Sequence, residues 1–137
     1  MKHLFTLFAL FLGLNLSHAQ ESTEPVIEFD SISINYGRIL KGSDGLKVFK
    51  FKNTGNEPLM ITRVASSCGC TVPKKPEQPI MPGETGEIEV LYDTKKLGRI
   101  SKSIYVMSNA SDPRITLKIK GEVVKEFPKE EPTSDKS

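Results

Sequence analysis

The feature that most restricts this chain is an alternation of apolar and polar residues with a period of two. It is cleanest near the end, where Ile115, Leu117 and Ile119 alternate with Thr116, Lys118 and Lys120. Successive side chains on a strand point to opposite faces, so this pattern describes a strand with one dry face and one wet one. It recurs where Phe49 and Phe51 alternate with Lys50 and Lys52, where Ile88, Val90 and Tyr92 alternate with Glu87, Glu89 and Leu91, and where Ile104 and Val106 alternate with Ser103, Tyr105 and Met107. Phe29 opens the core, with Ile32 and Ile34 set against Ser31, Ser33 and Asn35, and residues 59–64 read as a further strand.

Turn chemistry separates these runs. Tyr36-Gly37 bends the chain, residues 42–45 form a turn, and residues 53–58 form a loop. Pro73, Pro76, Pro79 and Pro82-Gly83 break regular structure between Val72 and Glu84. No segment beyond the N-terminal apolar run carries a helical period. About seven short strands with turns between them predict an all-β fold, an immunoglobulin-like two-sheet antiparallel sandwich. Faces that alternate let two sheets share one core. The Cys…Trp…Cys spacing of antibody domains is absent, since the chain has no Trp.

The ends differ from the middle. Met1-Lys2-His3 is a short basic start, residues 4–16 are almost unbroken in apolarity, and Ser17-His18-Ala19 precedes Gln20. That is the layout of a secretory signal peptide, and the run is shorter than the ~20 apolar residues of a membrane span. The expected organisation is a signal peptide at 1–19, a polar leader at 20–25, one domain at 26–124 and a disordered charged tail at 125–137. No cysteine stands at the cleavage point, so no lipid anchor is expected. The mature protein is expected to be periplasmic or secreted and not to span a membrane.

Composition removes several functions. Both histidines, His3 and His18, fall in the signal segment. The mature chain thus has no imidazole for Ser-His-Asp or Cys-His catalysis or for His-ligated zinc. A Ser–Lys dyad is the hydrolase arrangement left open. Loss of Lys2 with the signal takes the formal charge from +2 to +1, with both signs interspersed. There is no basic stripe, and a nucleic-acid partner is not expected. Glu84, Glu87, Glu89 and Asp93 lack the compact spacing of a calcium loop, and Glu87 and Glu89 share a solvated strand face. No cofactor is expected.

The residues that invite a functional reading are Cys68 and Cys70, flanking Gly69. Exported proteins commonly form disulfides. In an extended strand, however, residues two apart lie ~6.6–6.8 Å apart, the far limit for a bridge. A bridge needs the chain pinched at Gly69, and it closes so small a loop that it removes little unfolded-state entropy. The pair is therefore expected to be labile rather than a core staple. It is read as a conformational element, as an exchangeable thiol pair, or as two soft ligands for Cu(I).

Four segments together carry a family resemblance: residues 35–39 with Gly42, residues 49–59, residues 66–73 and residues 80–84. Ser-Cys-Gly-Cys-Thr, residues 67–71, is the most specific part. The chain resembles the DUF1573 family, whose function is uncharacterised and which occurs largely in exported bacterial proteins. That family is similar to immunoglobulin-like modules of the Hydin and PapD type. The resemblance implies a sandwich and a bacterial envelope origin, and it supplies no activity.

Within the shared segments, Phe49 and Phe51 are expected as core anchors. Asn53 is expected to satisfy loop backbone groups through its amide, beside Gly55. Pro82-Gly83 is read as a turn, with Gly37 and Gly42 needed for backbone shape. Asp30-Ser31-Ile32 resembles the sites that some Bacteroidetes-type bacteria O-glycosylate, which makes Ser31 a candidate. Asn109-Ala110-Ser111 fits the N-glycosylation pattern and is expected to stay unmodified in a bacterium. The function expected is a non-catalytic binding or structural module whose partner is another envelope protein. The alternative is a redox or Cu(I) site at the Cys pair. Partners would be taken by an open sheet edge or by loops, with Lys118 and Lys120 expected at an edge, where lysines discourage pairing.

Overall fold

The computed structural model describes residues 23–128. The signal segment at 1–19, the start of the leader and residues 129–137 of the tail lie outside the described residues. Eight strands follow in chain order: β1 (Ile27–Phe29), β2 (Ser33–Leu40), β3 (Leu46–Asn53), β4 (Ile61–Ser66), β5 (Thr71–Lys74), β6 (Thr85–Tyr92), β7 (Gly98–Ser108) and β8 (Arg114–Val124). They form two four-stranded sheets, β1-β3-β6-β5 and β2-β8-β7-β4. The sandwich expected from the alternation is the observed fold. Every pair is antiparallel except β2 with β8, which run parallel.

The inward residues are those that the alternation marks. Phe49, Phe51, Ile88, Val90, Ile104, Val106, Leu117 and Ile119 are all buried, and their polar neighbours face water. Two apolar faces meeting in this way remove the area that stabilises a sandwich, at ~25 cal/mol per Å². The Phe29 ring tilts against Phe51, with centroids 5.3 Å apart.

Three expectations are corrected. Ile32 lies in the bend before β2 and is 58% exposed, so it is not a core residue. Pro73 does not break the chain but sits inside β5. Asp93 N–H bonds to Cys70 O, which makes Thr71↔Tyr92 and Pro73↔Val90 the pairs without mutual hydrogen bonds. The nitrogen of Pro73 therefore faces the free edge, where a ladder has no use for a donor. Lys118 and Lys120 are not at an edge either, because β8 lies between β2 and β7. Their alternation with Leu117 and Ile119 is real, but a face pattern says nothing about which strand is outermost.

The true edges are blunted by other means. β1 has three residues and β5 has four, with a proline. β2 carries a register shift between Asn35 and Arg38, and β4 one between Ile61 and Arg63. Short, bulged or proline-bearing edges resist strand addition. Among the described residues, an added strand is thus a poor way to bind a partner.

Candidate functional site

The chemistry of the chain gathers at one end of the β5–β6–β3 sheet. Residues 67–70 leave β4 as a turn rather than as a continued strand, and Cys68 and Cys70 are joined by a disulfide with Cα atoms 5.4 Å apart. The separation expected for an extended chain does not apply, and 5.4 Å is ordinary for a bridge. Gly69 does not achieve this through a left-handed backbone, and a Cβ there would meet open space. The turn is shaped from outside. Ser67 N–H bonds to Ser103 O at 2.9 Å, and Ser103 N–H returns to the Ser67 hydroxyl at 3.1 Å. The Ser66 hydroxyl donates to Thr71 O at 2.7 Å and lies against Cys68 O.

Thr71 is buried beneath the bridge. Its Oγ1 lies 3.8 Å from Cys68 Sγ and 3.9 Å from Cys70 Sγ, and the Cys70 N–H points at Cys68 Sγ at 3.3 Å. In this form neither sulfur is a thiolate, so Cu(I) ligation would first require the bridge to open.

Beside the bridge is a cleft of about 480 Å³, lined by Gly69, Cys70, Val72, Leu91, Asp93 and the turn around Asp44. Its walls are knitted together. Gly42 N–H bonds to Thr94 O at 3.1 Å, the Thr94 hydroxyl to Ser43 O at 2.5 Å, and Tyr92 N–H to Gly45 O at 3.0 Å. A Cβ on Gly45 would collide with Tyr92 O, so only glycine permits this approach. Val72, Leu91 and Leu46 are paired in register across β5, β6 and β3. All point outward, with exposures of 60%, 50% and 43%. The next row on the same face is Lys74, Glu89 and Val48, with Lys74 3.7 Å from Glu89 and half-buried Val48 extending the apolar strip along β3.

Gly45 O also accepts the hydroxyl of buried Tyr36 at 2.7 Å. Burial first, then the nearby Asp44 carboxylate and Tyr92, push the Tyr36 phenol up to about 12. Tyr92 moves the same way through burial and then Asp93. The folded state thus holds protons that the unfolded chain releases from about pH 10. By linkage, stability is full below pH 10 and falls as pH rises through about 12. The urea midpoint is expected to drop across that window. Tyr36→Phe should flatten the drop, while losing about 1 kcal/mol at pH 8 with the hydrogen bond. An equal drop in the variant would contradict the assignment.

The other residues singled out in the sequence lie elsewhere. Gly37, Gly42 and Gly83 have φ of 68°, 83° and 81°, the left-handed region that glycine tolerates. Gly37 sits in the β2 bulge, held by the Asn35 side chain at 2.8 Å. Pro82-Gly83 forms a turn whose Gly83 N–H bonds to Asn53 O at 2.8 Å. Gly55 is pressed so close to Glu24 and Val26 that a Cβ would clash with their backbone.

Asn53 is fully buried at the opposite end of the sheet from the disulfide. Its Oδ1 accepts from Gly55 N–H at 3.0 Å and Val26 N–H at 3.4 Å, and its Nδ2 donates to Glu57 O at 2.7 Å and Ile80 O at 2.9 Å. Phe49 and Phe51 lie in the core. Ser31 is exposed, its hydroxyl bonded to Ser33 O at 2.7 Å. The Asn109 amide nitrogen is occupied by Pro58 O at 3.2 Å. Of the residues singled out, Gly42, Gly69, Cys70 and Asp93 line the cleft, and Cys68 is bridged to Cys70 without lining it. Thr71, Gly45 and the Val72–Leu91–Leu46 row emerge only from the pairing register.

Solved structures share this fold. A protein of unknown function from Porphyromonas gingivalis W83 matches with a TM-score of 0.65 at 19% identity, over 79% of this chain and 51% of that one. The Vibrio cholerae VesB protease matches with a TM-score of 0.58 at 15% identity, over 70% of this chain and 31% of that one. The PapD-like domain 7 of human CEP192 matches with a TM-score of 0.63 at 8% identity, over 77% and 89%. The chain thus spans about half of the first protein and a third of the second. These likenesses concern the fold. No curated protein matches the chain in sequence. The model of DUF1573, described as a protein of unknown function, matches residues 27–123, and with nearly the whole sandwich covered the chain belongs to the DUF1573 family.

Proposed function

We propose that this protein is a non-catalytic binding module of the bacterial cell envelope, exported by a signal peptide cleaved after Ala19. In this reading it holds another envelope protein against the outer face of the β5–β6–β3 sheet. The observation that carries the reading is the Val72–Leu91–Leu46 row. Three apolar side chains in direct cross-strand register, each about half exposed, adjoin a preformed cleft on a face that, beyond Val48, is lined mainly by Lys and Glu. Such an apolar spot with a polar surround has the anatomy of a contact centre. The blunted edges support binding by a face rather than by an added strand. The PapD-like fold is compatible with this role. The His-free domain offers no imidazole for hydrolytic chemistry.

A photo-crosslinking side chain at position 91, introduced into the native host, tests the reading. It is expected to capture one major envelope polypeptide, whereas the same group at position 118, exposed on the other sheet, captures little. Leu91→Lys should abolish capture by a second crosslinker at position 46. It should leave the unfolding free energy within ~0.5 kcal/mol of wild type, as exposed positions do. Equal capture from both faces would contradict the proposal. The exported protein is expected to begin at Gln20, which its N-terminal mass reads directly.

A further inference from the structure

Beyond that reading, we propose that the Cys68–Cys70 bridge is a thiol–disulfide exchange site for a cysteine-bearing polypeptide. Cys70 is the sulfur attacked and Cys68 the thiolate released. The two sulfurs stand in different surroundings. Cys70 lines the cleft with Gly69, Val72 and Leu91, and Cys68 does not. Gly69, which also lines the cleft, carries no side chain, and a Cβ there would meet open space. Cys68 Sγ faces the Cys70 N–H at 3.3 Å, whereas the Thr71 hydroxyl lies 3.8 Å from Cys68 Sγ and 3.9 Å from Cys70 Sγ and favours neither. Thr71 is 2% exposed, and among the described residues its hydroxyl has the two sulfurs as its only hydrogen-bond partners. A disulfide sulfur is a weak acceptor and a thiolate a strong one. The Thr71 hydroxyl thus supports whichever sulfur departs, and the Cys70 N–H adds support for charge on Cys68 alone, the kind of interaction that speeds a reaction by strengthening in the transition state. A leaving thiol of lower pKa also departs faster. Both cysteines are half-buried and Cys70 also packs against the core, so the direction of attack rests on the cleft at Cys70 and on the Cys70 N–H at Cys68 Sγ.

A partner thiolate attacks Cys70 Sγ, a partner–Cys70 disulfide forms, the Cys68–Cys70 bond breaks, and Cys68 takes the electron pair. A second thiolate of the same partner then attacks the partner's sulfur in that mixed disulfide and expels Cys70. The partner dithiol is oxidised by two electrons and this bridge is reduced to two thiols. The exchange is stoichiometric and runs in either direction, according to the two potentials. Opening the bridge leaves the fold in place. It closes a loop only two residues apart in sequence, and Cys70 O keeps its bond from Asp93 N–H at 2.9 Å.

The test uses oxidised, full-length protein and reduced glutathione. Samples are acid-quenched at early times, the freed thiol is blocked with N-ethylmaleimide, and the tryptic peptide of residues 64–74 is fragmented on either side of Gly69. Glutathione is expected on Cys70 and maleimide on Cys68, in at least about tenfold excess over the reverse, the factor that 1.4 kcal/mol of preference supplies. Thr71→Val should slow bridge opening severalfold. Leu91→Lys should slow exchange with a Val-flanked cysteine peptide but not with glutathione. Even or reversed labelling, a bridge inert to glutathione in the folded state, or reduction that unfolds the domain would overturn the proposal. None of these outcomes bears on capture at position 91, so the two readings fail separately.

Discussion

Asn53→Ala is expected to lower the unfolding free energy by about 2–5 kcal/mol, measured by urea denaturation at neutral pH. The side chain is wholly buried and all four of its hydrogen-bonding capacities are used on backbone groups. It ties the chain before β1, the loop after β3 and the segment before β6 into one knot. Removing it strands the Gly55 and Val26 N–H groups and Glu57 O, while Ile80 O keeps the Leu59 N–H at 2.8 Å. A fully buried polar group left unpaired costs ~1–3 kcal/mol, and these three stranded groups, being part-buried, cost less each. The lower end allows for the long Val26 contact and for water entering the space. Asn53→Asp should be no better, because it replaces the two donations with a carboxylate facing two carbonyls. A change below ~1 kcal/mol would mean that the loop finds other partners and that the knot is not what closes this end.

Phe51→Ala is expected to cost ~3–5 kcal/mol, as large-to-small changes in a core do. For a domain of this size that is a fall in melting temperature of roughly 15–30 °C. Phe51 is 1% exposed. Its ring packs on Phe29 and lies over Gly86, its register partner on β6, where any Cβ would strike the ring. The missing side chain at Gly86 is thus the space that Phe51 fills. Gly86 has no side chain with which to fill the cavity left by alanine, which favours the upper part of the range. A melting temperature indifferent to the change would place Phe51 on the other face of β3.

Which side chains are buried could be read along the chain, because a strand turns every second residue to the same face and water sorts the two faces locally. The phase of β3, β6, β7 and β8 follows from that alone. Ile32 escaped the rule because it lies in a bend, where the period of two has no meaning. Pro73 escaped it because proline is excluded only from a strand flanked on both sides, and nothing local says that β5 is an edge. The placement of Lys118 and Lys120 failed for the same reason, since the order β2-β8-β7-β4 arises from contacts between distant segments.

By itself, then, the sequence determined the all-β class, the two-faced strands, the core aromatics, the absence of imidazole chemistry in the domain and the family. Only the tertiary structure decided which strands lie outermost, that Cys68 and Cys70 bridge, and that Val72, Leu91 and Leu46 line up beside them. The alternation is enforced residue by residue at the boundary between protein and water, whereas strand order and register are settled by pairing across the whole sandwich. The turn at residues 67–70 belongs to the second kind. Its spacing suggests an extended segment, and the Ser103 backbone, 36 residues from Ser67, helps to hold it folded tightly enough to close the bridge.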